Sequence, residues 1–201
     1  MKILKKVIFI STFILSLASI GVAQSVDFGI KGGINIFSVK SEIGDISIKD
    51  GIVDINSQLG VYLGGLATFH TKAPKLKFQT ELYYQINKTS MLRIEGGEKF
   101  NFHQITLPVL AKYQLAKKLS LTGGGYLSAN LFVGRNYGSD EYKKIDLGVL
   151  LGLEYQLTKR FLVDIRYNYG LTNMISDNPT STSRSSSNYK RVLNLGIGYR
   201  L

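Results

Sequence analysis

Eight long runs of this 201-residue chain place an apolar side chain at every second position. The final run, "LNLGIGYRL", is typical: Leu193, Leu195, Ile197, Tyr199 and Leu201 alternate with Asn194, Gly196, Gly198 and Arg200. Successive side chains of a strand point to opposite faces, so such alternation specifies a strand with one apolar and one polar face. The pattern predicts strands at Val26–Phe37, Leu59–His70, Leu76–Asn87, Phe102–Gln114, Leu119–Val133, Ile145–Leu157, Phe161–Leu171 and Tyr189–Leu201. Each is long enough to cross a bilayer at a tilt, which takes about 9–11 residues. A soluble barrel would turn the apolar face inward and a membrane barrel would turn it to lipid. Alternation alone does not choose between them.

The connections and the aromatics do. Links two, four and six are short, "TKAPK", "LAKK" and "TKR", whereas the other four are long. This sorting is characteristic of membrane barrels with an even strand count, short turns on the inner side and long loops outside. On the apolar face, the first or second residue from the short-turn end is an aromatic in seven of the eight strands, Phe28, Phe69, Phe78, Tyr113, Tyr155, Phe161 or Tyr199, with Leu119 at that end of the remaining one. Aromatic rings at one level suit a bilayer interface, where one part of the ring meets headgroups and the other meets acyl chains. Lys72, Lys75, Lys117, Lys118, Lys159 and Arg160 lie just beyond that ring and suit basic anchors at a headgroup surface. The expected fold is all-β, an eight-stranded antiparallel up-and-down transmembrane β-barrel.

The N-terminus fits export. Lys2, Lys5 and Lys6 precede a fourteen-residue apolar run, Val7–Ile20, and then "GVA", with Gly21 and Ala23 where a signal peptidase reads small residues. Residues 1–23 are therefore expected to be a cleaved signal peptide and 24–201 the barrel domain. The apolar run is short for a spanning helix, which needs about 20 residues. The location expected is the outer membrane of a Gram-negative bacterium. The chain has no Cys, which excludes disulfides, thiolate metal sites, a Cys nucleophile and a lipoprotein anchor. Its net charge of +11 falls to +8 without the three lysines of the signal. That charge sits on no basic helix or aromatic-interleaved patch, so nucleic acid is not an expected partner.

The polar face collects ten charges: Asp27, Glu81, Asp146, Glu154 and Asp164 against Lys31, Lys77, Lys112, Arg166 and Arg200. An eight-stranded barrel is just wide enough for side chains to fill it, and buried charges need partners. The equal count predicts a plug of ion pairs with negligible ion conductance. Leu110 and Leu150 also fall on that face and are expected to fill space. Pro108 lies inside a predicted strand, where a ladder bond must be lost or a bulge must form. Thr122–Tyr126, "TGGGY", weakens its strand but permits a bend or close packing.

The outer connections carry their own signals. "ISIKDGIVDI" reads as a hairpin about Asp50–Gly51, and Gly96–Gly97 marks the tip of "MLRIEGGEKFNF". Strands one and two, and three and four, are expected to rise beyond the membrane as hairpins. "SDNPTSTSRSSSNYK" is of low complexity. A protein partner in the envelope would meet these loops, because the wall faces lipid. The other expected partners are outer-membrane lipid and, during biogenesis, the barrel assembly machinery.

Catalytic signals are sparse. His70 and His103 fall at opposite ends of the barrel and cannot share a metal. His103 is followed by Gln104–Ile105, with no serine two residues on, so the arrangement of lipid-modifying barrel deacylases is missing. No enzyme activity, metal or cofactor is expected.

Several segments resemble the PorT-like outer-membrane β-barrel domain proteins: "FGIKGGIN" (Phe28–Asn35), "ITLPVLAKYQL" (Ile105–Leu115), "GGGYLSANL" (Gly123–Leu131), "DLGVLLGLEYQL" (Asp146–Leu157) and "DIRYNYGLTNM" (Asp164–Met174). Pro108 and Gly124–Gly125 fall where that family has such residues. The resemblance implies an eight-stranded outer-membrane barrel. The family's namesake is linked to a protein-secretion apparatus, but the family implies no single activity, and no catalytic residue carries over. The terminal strand similarly resembles the C-terminal signal read by the outer-membrane assembly machinery, with Leu201 where Phe is commoner.

Overall fold

The computed structural model describes residues 25–43, 58–91, 98–133, 145–172 and 186–201. Eight strands form one sheet: β1 (Val26–Ile43), β2 (Gln58–His70), β3 (Leu76–Met91), β4 (Glu98–Gln114), β5 (Leu119–Val133), β6 (Ile145–Gln156), β7 (Phe161–Gly170) and β8 (Ser186–Arg200). Every strand pairs antiparallel with its neighbour in sequence, and β1 pairs with β8, so the sheet closes into a barrel. The segment expected to be a signal peptide and the tips of the four long loops, including Asp50–Gly51 and Gly96–Gly97, lie outside the described residues.

Closure fixes the tilt. Following paired residues around the barrel from Phe28 leads through Ala67, Thr80, Val109, Gly125, Val149, Tyr169 and Arg191 and returns to β1 at Ser38. The path comes back ten residues further along the strand. With a rise of about 3.3 Å per residue and strands about 4.8 Å apart, this stagger corresponds to a tilt of about 40°.

The burial pattern decides which face is inside. Lys31, Asn35, Gln79, Glu81, Lys112, Glu154, Asp164 and Arg166 are buried, while Phe28, Ile30, Leu63, Leu82, Leu151 and Ile197 are more than half exposed. A water-soluble barrel would invert this arrangement. A continuous apolar exterior around a charged interior is stable only where the exterior meets hydrocarbon. The short turns are tied to the wall. Gln114 N donates to Lys75 O at 2.8 Å, Gln156 N to Lys118 O at 2.8 Å, and Arg200 N to Arg160 O at 2.9 Å. Thr158 Oγ1 accepts from the amides of Arg160 and Phe161 at 3.2 and 3.0 Å, fixing the tightest turn.

Two details refine the sequence reading. Pro108 interrupts the ladder with β3, one of the two expected outcomes, and causes no register shift. It pairs with Tyr126 of β5, and on the β3 side the pairs Thr80–Val109 and Tyr83–Thr106 flank the positions where pairing lapses. Thr80 Oγ1 donates to Pro108 O at 3.1 Å. The bulge lies at His103/Gln104, between β4 and β5. The second concerns the outer extensions, where the hairpin expected about Asp50–Gly51 lies outside the described residues. β3 and β4 extend together as expected, to Met91–Glu98. Beyond Phe37, however, β1 continues against β8, to Ile43–Ser186, and its described pairing with β2 ends at Phe37–Gln58.

Candidate functional site

The interior of the barrel is the most distinctive chemical feature of the chain, and inward-facing residues fill it in three tiers. At mid-height, Lys31 of β1, Glu81 of β3, and Asp164 and Arg166 of β7 form a ring of alternating charge. Lys31 Nζ lies 2.7 Å from Asp164 Oδ2 and 3.4 Å from Glu81 Oε1. Arg166 Nη1 lies 2.8 Å from Glu81 Oε2, and its Nε lies 2.7 Å from Asp164 Oδ2. Gln79 Nε2 donates to Glu81 Oε1 at 2.6 Å, and Thr68 Oγ1 donates to Gln79 at 3.1 Å. Tyr62 and Tyr83 cover the ring, their centroids 5.1 Å apart.

Toward the short turns, Lys112 pairs with Glu154, and Arg200 Nη2 approaches the same carboxylate at 3.6 Å. Toward the long loops, Lys190 of β8 reaches Asp146 Oδ2 at 3.2 Å and Gln104 Oε1 at 2.9 Å, with its ammonium 5.7 Å from the centre of the Tyr126 ring. Gln104 is the hub of this tier. Its Oε1 also accepts from Gln85 at 2.5 Å and Asn87 at 2.7 Å, and its amide donates to Asn130. Leu110, Tyr126 and Leu150 form a small apolar cluster between the tiers.

Of the ten charges singled out from sequence, Lys31, Glu81, Lys112, Asp146, Glu154, Asp164 and Arg166 are buried in these tiers. Lys77 and Arg200 stand at the short-turn mouth. Asp27 is drawn to the rim, where His70 Nε2 lies 2.7 Å from its Oδ2. Lys190 was missed. It shares the parity of Asn194 and Arg200, but it sits beside the Ser/Thr-rich segment and was read as the edge of a loop. Gln104 and two inward glycines were missed as well. A Cβ on Gly196 would come within 2.9 Å of Lys31 Cε, and one on Gly152 within 2.6 Å of Arg166 Cγ. These glycines leave the space that the charged ring occupies.

The seven aromatics lie on the outer surface near the short turns. Phe28, Phe78, Tyr113, Tyr155 and Phe161 are exposed, and Phe69 and Tyr199 are half-buried against neighbours. Phe69 pairs with Phe78 across strands, and Phe161 packs edge-on to Tyr199 with centroids 5.0 Å apart. Arg160 Nη1 donates to the Tyr199 hydroxyl at 2.9 Å. His103 lies at the other end on the outer side, its Nδ1 2.5 Å from the Tyr84 hydroxyl. Among the described residues, neither histidine contacts a serine or threonine hydroxyl, and no cluster of three metal-ligating side chains occurs.

Comparison with solved structures finds the same architecture. Neisserial surface protein A aligns with a TM-score of 0.56 at 16% identity, over 89% of this chain and 100% of that one. Ail, the attachment invasion locus protein of Yersinia pestis, aligns with a TM-score of 0.51 at 16% identity, over 89% and 100%. At such identity the likeness speaks for the fold alone. No curated protein matches the sequence. The family model described as "Outer membrane protein beta-barrel domain" matches residues 22–176, more than half of the chain. With an apolar exterior, a charged interior and a closed eight-stranded sheet, the chain belongs to this family of outer-membrane β-barrel proteins.

Proposed function

We propose that this protein is a non-catalytic, self-sealed outer-membrane barrel that acts through its long loops, as a recognition or accessory element of the cell envelope. The observation that carries this reading is the mid-height ring of Lys31, Glu81, Asp164 and Arg166, in which charges from β1, β3 and β7 meet across the lumen. A barrel whose interior is spent on its own ion pairs, and whose wall faces lipid, has its loops left for contact with other molecules. The PorT-like segments of the sequence make a secretion-associated complex the first to examine. The test is photocrosslinking in intact cells from residue 183 in the last long loop, with Lys159 in a short turn as the control. The expected result is a reproducible protein adduct from the loop position. Adducts to lipid alone from both positions would overturn the reading.

A second reading, a small-ligand binder using the lumen, draws support from the Asn35 amide and the Tyr62 hydroxyl. Both are buried, and neither finds a hydrogen-bond partner among the described residues. Replacing Asn35 by Leu separates the two readings. The loop-mediated role survives that change if the barrel still folds, whereas binding in the lumen does not.

A further inference from the structure

We propose that the short-turn mouth of the barrel is a binding site for a phosphate-class oxyanion. A cavity of about 100 Å³ opens there, lined by Lys75, Lys77, Lys112, Lys117, Lys118 and Arg200, with Glu154 as its one acidic group. Glu154 is already shared by Lys112 and Arg200. Among the described residues, Lys75, Lys77, Lys117 and Lys118 have no carboxylate within ion-pair distance. Asp27 near Lys77 is already engaged by His70, so the cations at this mouth outnumber the carboxylates near them. Lys159, on the next turn, is exposed like Lys75, Lys117 and Lys118 but does not line the cavity.

The site is also built rather than incidental. Lys75 and Lys118 accept backbone hydrogen bonds from the ends of β4 and β6, and Gln114 Nε2 donates to Lys117 O at 3.2 Å, so the turns hold their lysines around the mouth. Gln114, Ser120 and Gln156 add neutral polar groups to the lining. The volume corresponds to a few waters at about 30 Å³ each, which suits one tetrahedral oxyanion and no larger ligand. A cleft lined by one sign of charge concentrates the opposite sign, and a phosphate offers several acceptor oxygens to many donors at once. A phosphomonoester approaches a charge of −2 above its second pKa of about 6, so affinity for such a ligand should fall below that pH as it protonates. The group could come from a lipid headgroup or from a soluble phosphate.

The test uses the folded barrel in dodecyl maltoside micelles, which carry no phosphate, with ¹³C-labelled lysine side chains followed by NMR. Inorganic phosphate is titrated in one arm and a short-chain phosphatidic acid in the other. The expected result is saturable shifts at Lys77, Lys117 and Lys118 with Lys159 unmoved, and at least tenfold weaker binding in the Lys77→Gln/Lys117→Gln variant. Tighter saturation by phosphatidic acid assigns the site to a headgroup, and tighter saturation by phosphate assigns it to a soluble group. Unsaturable shifts spread equally over all lysines, or unchanged affinity in the variant, would overturn the proposal.

Discussion

Arg166 is in contact with two carboxylates and is buried, so its removal strands both Glu81 and Asp164 beside a single lysine. Breaking a buried ion pair costs roughly 3–5 kcal/mol because the remaining charge keeps its desolvation penalty. Arg166→Met is expected to lose about that much, measured as the urea unfolding midpoint in lipid vesicles. The double variant Glu81→Gln/Arg166→Met leaves Lys31 and Asp164 as a balanced pair and should lose less than Arg166→Met alone. Gly196 makes a steric demand at the same level. Gly196→Val would drive its side chain into Lys31, Tyr62 and Asp164, and the expected outcome is failure to give the compact, heat-sensitive band of a folded barrel on a denaturing gel. The sequence shows through parity that these residues point inward. It does not show depth or partner. Lys31 meets Asp164 because the strands are staggered by ten residues around the barrel, a global quantity that no local pattern encodes.

At the scale of single strands, β4 is the irregular member. Pro108 cannot donate to β3, and the Thr80 hydroxyl donates to its carbonyl beside the lapse in pairing. Thr80→Val should therefore lower stability by about 1 kcal/mol, the usual net worth of one hydrogen bond, while Thr80→Ser should keep it, both read from unfolding midpoints. The short turns were legible in full, because their lengths and the alternation on either side fix where each strand ends. The outer boundaries were less so. β1 runs on to Ile43 and β8 begins at Ser186, three residues before the predicted start. There alternation gives way to Ser187, Asn188 and other polar residues, which suit strands no longer in contact with lipid but carry no period to read. The pairing of β1's extension with β8 depends on closure, which a reading of consecutive segments does not show.

For the whole molecule, the inversion of polarity between inside and outside accounts for the outer-membrane location. With tiers of paired charge at three heights, the purified barrel is expected to pass negligible current in a planar bilayer. Stable, large single-channel steps would contradict this. The seam between β1 and β8 has a further consequence. Leu201 N donates to Phe28 O at 2.9 Å, and β1 is paired to β8 along most of its length. The first strand to leave the ribosome therefore waits for the last before its second edge is satisfied. No truncated intermediate can be a smaller version of the finished protein, since each would expose an unpaired edge. Contacts spanning nearly the whole described chain close late and slowly. Assembly is thus an all-or-none event timed by the arrival of the C-terminus, and until then the nascent chain depends on being kept from pairing with itself or its neighbours.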